Sequence, residues 1–130
     1  MWVLVDTSAW IDYFRGGQRS GVILDRLIDD NRVAVNDIIL AELIPFMLAR
    51  QELELAELLR SIKKLPLRAD WEEIIGLQLL CLQNGANGIG IPDLLIAQNV
   101  WQHDYEIYSL DKHFRLLAQL LGLRIFAANH

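Results

Sequence analysis

Four acids stand where the chain is otherwise apolar. Asp6 follows the run WVLV and precedes two hydroxyl residues, Thr7 and Ser8. Glu42 lies in DIILAELIPF, with Ile38 and Ile39 one turn before it, Phe46 one turn after, and no Lys or Arg at helical spacing. Periodicity therefore turns Glu42 inward with the apolar face, where an unpaired carboxylate costs several kcal/mol. Asp93 follows Pro92 in IPDLLIAQNV, and Asp111 separates the strand-like EIYSL from the helical KHFRLLAQL. Taken singly, each acid has a structural explanation. Asp6 and Asp111 suit helix caps, Asp93 suits a helix first turn, and Glu42 suits the rim of a core. Convergence on one site explains all four together. Three or four carboxylates without thiolate or histidine at ligand spacing form a hard oxygen donor set, suited to Mg²⁺ or Mn²⁺. Ions held in this way activate water and stabilise phosphoryl oxygens.

The elements that would gather these acids alternate between strand and helix. Apolar, β-branched runs predict strands over residues 2–5, 33–35, 65–67, 106–110 and 123–126. Helical periodicity predicts helices over 8–14, 21–30, 37–44, 53–62, 71–83, 92–102 and 112–121. Thr7 or Ser8 is the expected cap of the first helix and Asn36 or Asp37 of the third, with Pro45 kinking or ending the latter. Short strands separated by helices imply βαβ units and a parallel sheet covered on both faces. Sites in such sheets lie at the carboxyl ends of the strands.

The chain has 130 residues, 53% of them apolar. That suits one domain over residues 1–130 with a sizeable core. No apolar run approaches the roughly 20 residues that span a bilayer, and the start lacks the basic region of a signal peptide. A single cysteine, Cys81, cannot form an internal disulfide, which points to a reducing cytoplasm. The net charge of −5 is unfavourable for a polyanionic partner, but a bound cation would offset acids gathered at one site.

Other signals are weaker. GANGIGIPD is not a dinucleotide-binding fingerprint, because it follows a helix and lacks the G-x-G-x-x-G spacing. His103, His113 and His130 lack metal-ligand spacing. The four tryptophans lie in apolar contexts and read as core or interface packing. Residues 46–62 carry more apolar side chains than a core needs, which suits a groove for a partner helix or a dimer face.

VDTSAWIDYF, Glu42 in ILAEL, IGIPDLLIAQNV and SLDKHF, in that order, resemble the PIN domain, and within it the VapC-type toxins of toxin–antitoxin pairs. The likeness runs almost from end to end. It implies a Rossmann-like three-layer α/β/α sandwich around a mainly parallel five-stranded sheet. It also implies a Mg²⁺- or Mn²⁺-dependent endoribonuclease that leaves 5′-phosphates, a homodimer, and a cognate antitoxin. Carried over residue by residue, Asp6, Glu42, Asp93 and Asp111 match the acidic metal-binding and catalytic positions. Thr7 or Ser8, and Ser109, match supporting hydroxyls. Arg15, Arg19, Lys112, His113 and Arg115 lie near these motifs in sequence and are candidate contacts to the RNA backbone. Two rival readings remain. A phosphatase using Asp6 as nucleophile would carry a second acid at position 8, where this chain has Ser8. The other rival is a PIN-like scaffold without catalysis.

Overall fold

A computed structural model describes residues 1–126. Five strands form a parallel sheet: β1 (Val3–Val5), β2 (Val33–Val35), β3 (Lys63–Lys64), β4 (Glu106–Tyr108) and β5 (Arg124–Ile125). Their order across the sheet is β3-β2-β1-β4-β5. The connections are α1 (Thr7–Phe14), α2 (Gln18–Asp29), α3 (Asp37–Ala49), α4 (Leu53–Ser61), α5 (Trp71–Gln83), α6 (Ile91–His103) and α7 (Lys112–Leu121). Right-handed crossovers place α1–α4 on one face and α5–α7 on the other. The packing of α1 on α2 and α3, and of α6 on α5 and α7, agrees with this three-layer arrangement. No helix among the described residues is long and apolar enough to cross a membrane.

The core follows from the strand sequences. Val3, Leu4 and Val5 are fully buried, and Ala34, Val35 and Ile107 extend the same apolar layer. A strand covered on both faces has no solvent side on which to place polar residues. Leu24 and Leu27 of α2 and Phe114 and Leu117 of α7 close over the sheet, and Cys81 is buried in α5. Of the tryptophans, Trp10 lies in the core, whereas Trp71 and Trp101 are exposed.

Several boundaries differ from the sequence expectation for local reasons. Strand β3 lies at Lys63–Lys64, before the expected 65–67. Leu65 N–H still bonds Val35 C=O at 2.7 Å, but β2 ends at Val35 and the chain turns into α3, so β3 has no partner strand to follow further. Helix α2 begins at Gln18, before the expected residue 21, because the Asp12 carboxylate accepts from Ser20 N–H and opens the helix early. A Cβ at Gly17 would overlap the Asp12 carboxylate and displace it from Ser20 N–H. Helix α3 runs through Pro45 to Ala49. The missing bond at Pro45 frees the Ala41 carbonyl, and both residues are exposed, so water can satisfy it. The first helix is capped by Asp6 itself, not by Thr7 or Ser8.

Buried amides lock the helices to the sheet. Asn36 caps α3 by accepting from Ile39 N–H at 2.9 Å, and its Nδ2 donates to Asn99 Oδ1 at 3.0 Å. Asn99 Nδ2 then donates to Pro66 C=O at 2.9 Å. Neighbouring Gln98 bonds Asp70 through both its amide atoms and donates to Glu73. The end of β2, helix α6 and the β3–α5 connection are thus tied at one place. Asn99→Leu would strand the Asn36 amide and the Pro66 carbonyl without partners. It is expected to lower the unfolding free energy by about 2–4 kcal/mol, read as a lower urea midpoint at unchanged slope.

Candidate active site

Strand order reverses at the β1/β4 boundary: β2 and β3 lie to one side, β4 and β5 to the other. At such a switch point the following helices leave for opposite faces and a crevice opens at the carboxyl edge. Val5 stands opposite Tyr108 in register, and Asp6 N–H bonds Tyr108 C=O at 3.1 Å. The residues just past these strand ends, Asp6 and Ser109, therefore meet in the crevice.

A cavity of about 270 Å³ occupies this edge, lined by Asp6, Thr7, Ser8, Ile11, Glu42, Asp93, Ile96, Asp111 and Phe114. Its acids come from four elements: the end of β1, the middle of α3, the first turn of α6 and the cap of α7. No Lys or Arg lines it.

Asp6 is the most constrained of the four. Ser8 Oγ donates to its Oδ1 and Ser109 Oγ to its Oδ2, each at 2.7 Å, and Ala9 N–H adds a third bond at 3.2 Å. The serines are themselves held, Ser8 by Leu110 N–H and Ser109 by Asp111 N–H. Burial pushes the Asp6 carboxyl above its ordinary range. The serine and backbone hydrogen bonds oppose that shift, and the charge of Asp111 adds to it. The folded surroundings thus disfavour the charged form of Asp6.

Glu42 is exposed, contrary to the inward orientation that periodicity suggests. It reaches the cleft from the rim, where Thr7 Oγ1 donates to its Oε1 at 2.9 Å. Helix α3 is apolar nearly all round, so its pattern defines no face sharply, and the buried side is carried by Ile39, Leu43, Ile44 and Met47. Asp111 accepts from His113 N–H at 2.9 Å, so it caps α7 and lines the cleft at once. Asp93 occupies the first turn of α6, which has no side-chain cap.

The basic residues separate into two groups. Lys112 and Arg115 are exposed on the first turn of α7, beside Asp111. Arg15 caps the carboxyl end of α1, about 12 Å by helix rise from the end at the cleft. Arg19 follows on α2. None of these four forms an ion pair among the described residues. His113, read from sequence as a surface residue or a phosphate contact, instead turns toward the acids. Its Nδ1 lies 3.2 Å from Asp93 Oδ2 and 3.6 Å from Asp111 Oδ1. The sequence did offer a signal for this, because a residue two after a helix cap shares the turn with the capping side chain. His103 ends α6 with its Nδ1 3.0 Å from Asn99 C=O, and His130 lies outside the described residues.

The donor set, mostly carboxylate oxygens in a cleft free of Lys and Arg, suits a hard divalent cation. Among the described residues, no three acid, histidine or cysteine side chains close on a common point as they stand. Holding an ion would therefore take side-chain rotation at the rim.

A family model described as PIN domain matches residues 3–120. Solved structures share the fold at low identity. VapBC2 from Rickettsia felis, bound to a DNA fragment from their promoter, aligns at a TM-score of 0.76 and 18% identity, covering 99% of this chain and 100% of that one. FitAcB from Neisseria gonorrhoeae aligns at 0.72 and 22%, covering 96% of each chain. DNA-bound VapBC from Salmonella typhimurium aligns at 0.74 and 16%, covering 97% of each. No curated protein matches the sequence. With almost its whole length matched by the family model and its fold shared with these structures, the chain belongs to the PIN domain family.

Proposed function

We propose that the protein is a metal-dependent endoribonuclease acting as the toxin of a toxin–antitoxin pair in the cytoplasm. One observation carries this reading: Asp6, Glu42, Asp93 and Asp111 line one cleft at the switch point of the sheet, with no Lys or Arg among them. These four residues would hold Mg²⁺ or Mn²⁺. When bound, the ion supplies an activated water and neutralises charge on the phosphoryl oxygens. The chain's own contribution is positional. Ser8 and Ser109 fix both Asp6 oxygens, Thr7 steadies Glu42, and Ile11, Ile96 and Phe114 wall the cleft with apolar surface. Lys112 and Arg115, exposed beside Asp111 and free of ion pairs among the described residues, suit contacts to the RNA backbone. Arg15 and Arg19 stand farther along and would meet only a longer strand.

A phosphatase reading fits less well. The position where such a phosphatase would carry its second acid holds Ser8, whose hydroxyl is engaged with Asp6 Oδ1. The antitoxin partner is supported by the likeness to VapBC and FitAcB. Exposed Leu48 and Leu53, at the end of α3 and the start of α4, offer it apolar surface. A homodimer is supported by α5, where Trp71, Ile75, Leu79 and Leu82 are all exposed at helical spacing on one face. Two copies of that stripe are self-complementary about a two-fold axis.

The decisive assay is purified protein with total RNA and Mg²⁺ or Mn²⁺, with product ends mapped by sequencing. Asp6→Asn and Asp93→Asn each remove a ligand charge and little volume. Each is expected to lower cleavage by about 100-fold or more while circular dichroism stays native. Near-wild-type cleavage by either variant would remove that residue from the site.

Melting curves test the charge at Asp6. Because its folded pKa is raised above the ordinary 3.8, the folded state binds the proton more tightly than the unfolded chain. Stability falls as pH rises from that ordinary value through the raised one, and the penalty is fully present only above the raised value. Metal-free Asp6→Asn is expected to melt higher than wild type at neutral pH, by about 4 °C per kcal/mol relieved, with the gap narrowing in acid. Mn²⁺ at about 100 times its dissociation constant should stabilise wild type by about 2.7 kcal/mol and the variant far less. A wild type indifferent to Mn²⁺ would contradict the metal reading.

Leu79→Asp places a charge in the middle of the α5 stripe. Sedimentation is expected to show a dimer for wild type and a monomer for the variant; a wild type that sediments as a monomer would remove α5 as a dimer face.

A further inference from the structure

The sequence offers an all-oxygen donor set, and the fold adds one nitrogen to it. His113 Nδ1 lies 3.2 Å from Asp93 Oδ2 and 3.6 Å from Asp111 Oδ1. The backbone places the ring there, since Asp111 accepts from His113 N–H and both side chains leave the same turn. Lys112 and Arg115 on the same turn are exposed, while His113 is half-buried. Two cis ligands, each about 2.1 Å from one octahedral ion, stand about 3 Å apart. The contact between Nδ1 and Asp93 Oδ2 has the length of such an edge.

We infer that His113 supplies a nitrogen ligand to the divalent ion of the acid cleft and sets that site's preference for first-row transition ions over Mg²⁺. The inference rests on the metal-dependent reading above and specifies its donor set. Mg²⁺ favours oxygen and gives up its waters reluctantly, so an imidazole adds little to its binding. Imidazole nitrogen binds Mn²⁺ and the later ions of the first row progressively better. A cleft of carboxylates alone would discriminate weakly between Mg²⁺ and Mn²⁺, and one nitrogen would separate them. The hydrogen bond from the ring to Asp93 would then describe the metal-free arrangement, with both groups already within reach of one ion.

The test uses the metals alone, without RNA. Calorimetry would measure Mn²⁺ and Mg²⁺ affinity for wild type, His113→Ala and His113→Gln. Pulsed electron paramagnetic resonance of wild type with bound Mn²⁺ would read coupling to ¹⁴N. The expected result is nitrogen coupling in wild type and its loss in both variants. Mn²⁺ affinity is expected to fall about tenfold or more in both variants, while Mg²⁺ affinity changes less than about threefold, since the lost ligand matters little to it. Mn²⁺ bound to wild type without nitrogen coupling overturns the inference and leaves the metal reading standing. So does tighter Mn²⁺ binding by the variants, which would make the imidazole a group that the ion displaces. A wild type that binds neither ion overturns both. A wild-type spectrum without nitrogen coupling overturns the inference even where one variant folds poorly, and the other variant then tests the source of any coupling.

Discussion

The burial of β1 governs the molecule. Its three residues have no exposed surface, and both β2 and β4 pair with them in parallel. Strands of two or three residues make few ladder bonds, so the sheet persists only because helices cover both faces. A parallel sheet obliges each crossover to return to the starting edge. Every strand therefore ends at one edge, and every following helix begins near it. Because β1 is also the strand at which the order turns back, the helices after β1 and β4 part to opposite faces. The acid cleft is a consequence of strand order, with the same cause as the core beneath it.

Structural and chemical roles coincide at this edge. Asp6 caps α1, Asp111 caps α7, and Asp93 stands in the first turn of α6. Each helix N-terminus offers partial positive charge and unbonded N–H groups. Those dipoles, together with the Ser8 and Ser109 hydroxyls, are what the metal-free fold sets against three carboxylates in one crevice. They do not fully offset the charge, since Asp6 remains in an environment that resists ionisation. A capping explanation and a site explanation are therefore not alternatives here. The caps determine where the carboxylates point.

Much of this was legible in the chain. The apolar runs at β1, β2 and β4 and the periodicity of α2 and α7 specify elements close to those observed, because burial alone decides them. Asn36 could be read as the α3 cap from residue type and position. Elements decided by single backbone groups were harder to read. The end of β2 at Val35 leaves β3 at Lys63–Lys64, the Asp12 carboxylate opens α2 early, and exposure lets α3 pass through Pro45. Side-chain direction is least legible where apolar residues surround an acid on all sides, and periodicity therefore points Glu42 inward although it is exposed. The turn shared by Asp111 and His113 is local, but linear spacing cannot show that Asp93 of α6 lies against the same turn. The Asn36–Asn99 bond joins residues 63 positions apart and has no local signature.

Glu42 differs from the other three acids in a way that follows from these constraints. Asp6, Asp93 and Asp111 are short side chains fixed at or beside helix N-termini, where backbone N–H groups or His113 hold them. Glu42 sits in the middle of its helix, is exposed, and has one partner, the Thr7 hydroxyl. Directly beside it, the Ala41 carbonyl has no N–H partner at Pro45, so one helix hydrogen bond is missing there. On the metal-dependent reading, a site whose acids do not yet close on one point needs at least one ligand that can move. The long, exposed side chain of Glu42 can move without disturbing a cap or the core, whereas rotating Asp6 would break bonds to two serines and to Ala9 N–H. The cleft would therefore close from the α3 side, onto the rigid group formed by the ends of β1 and β4.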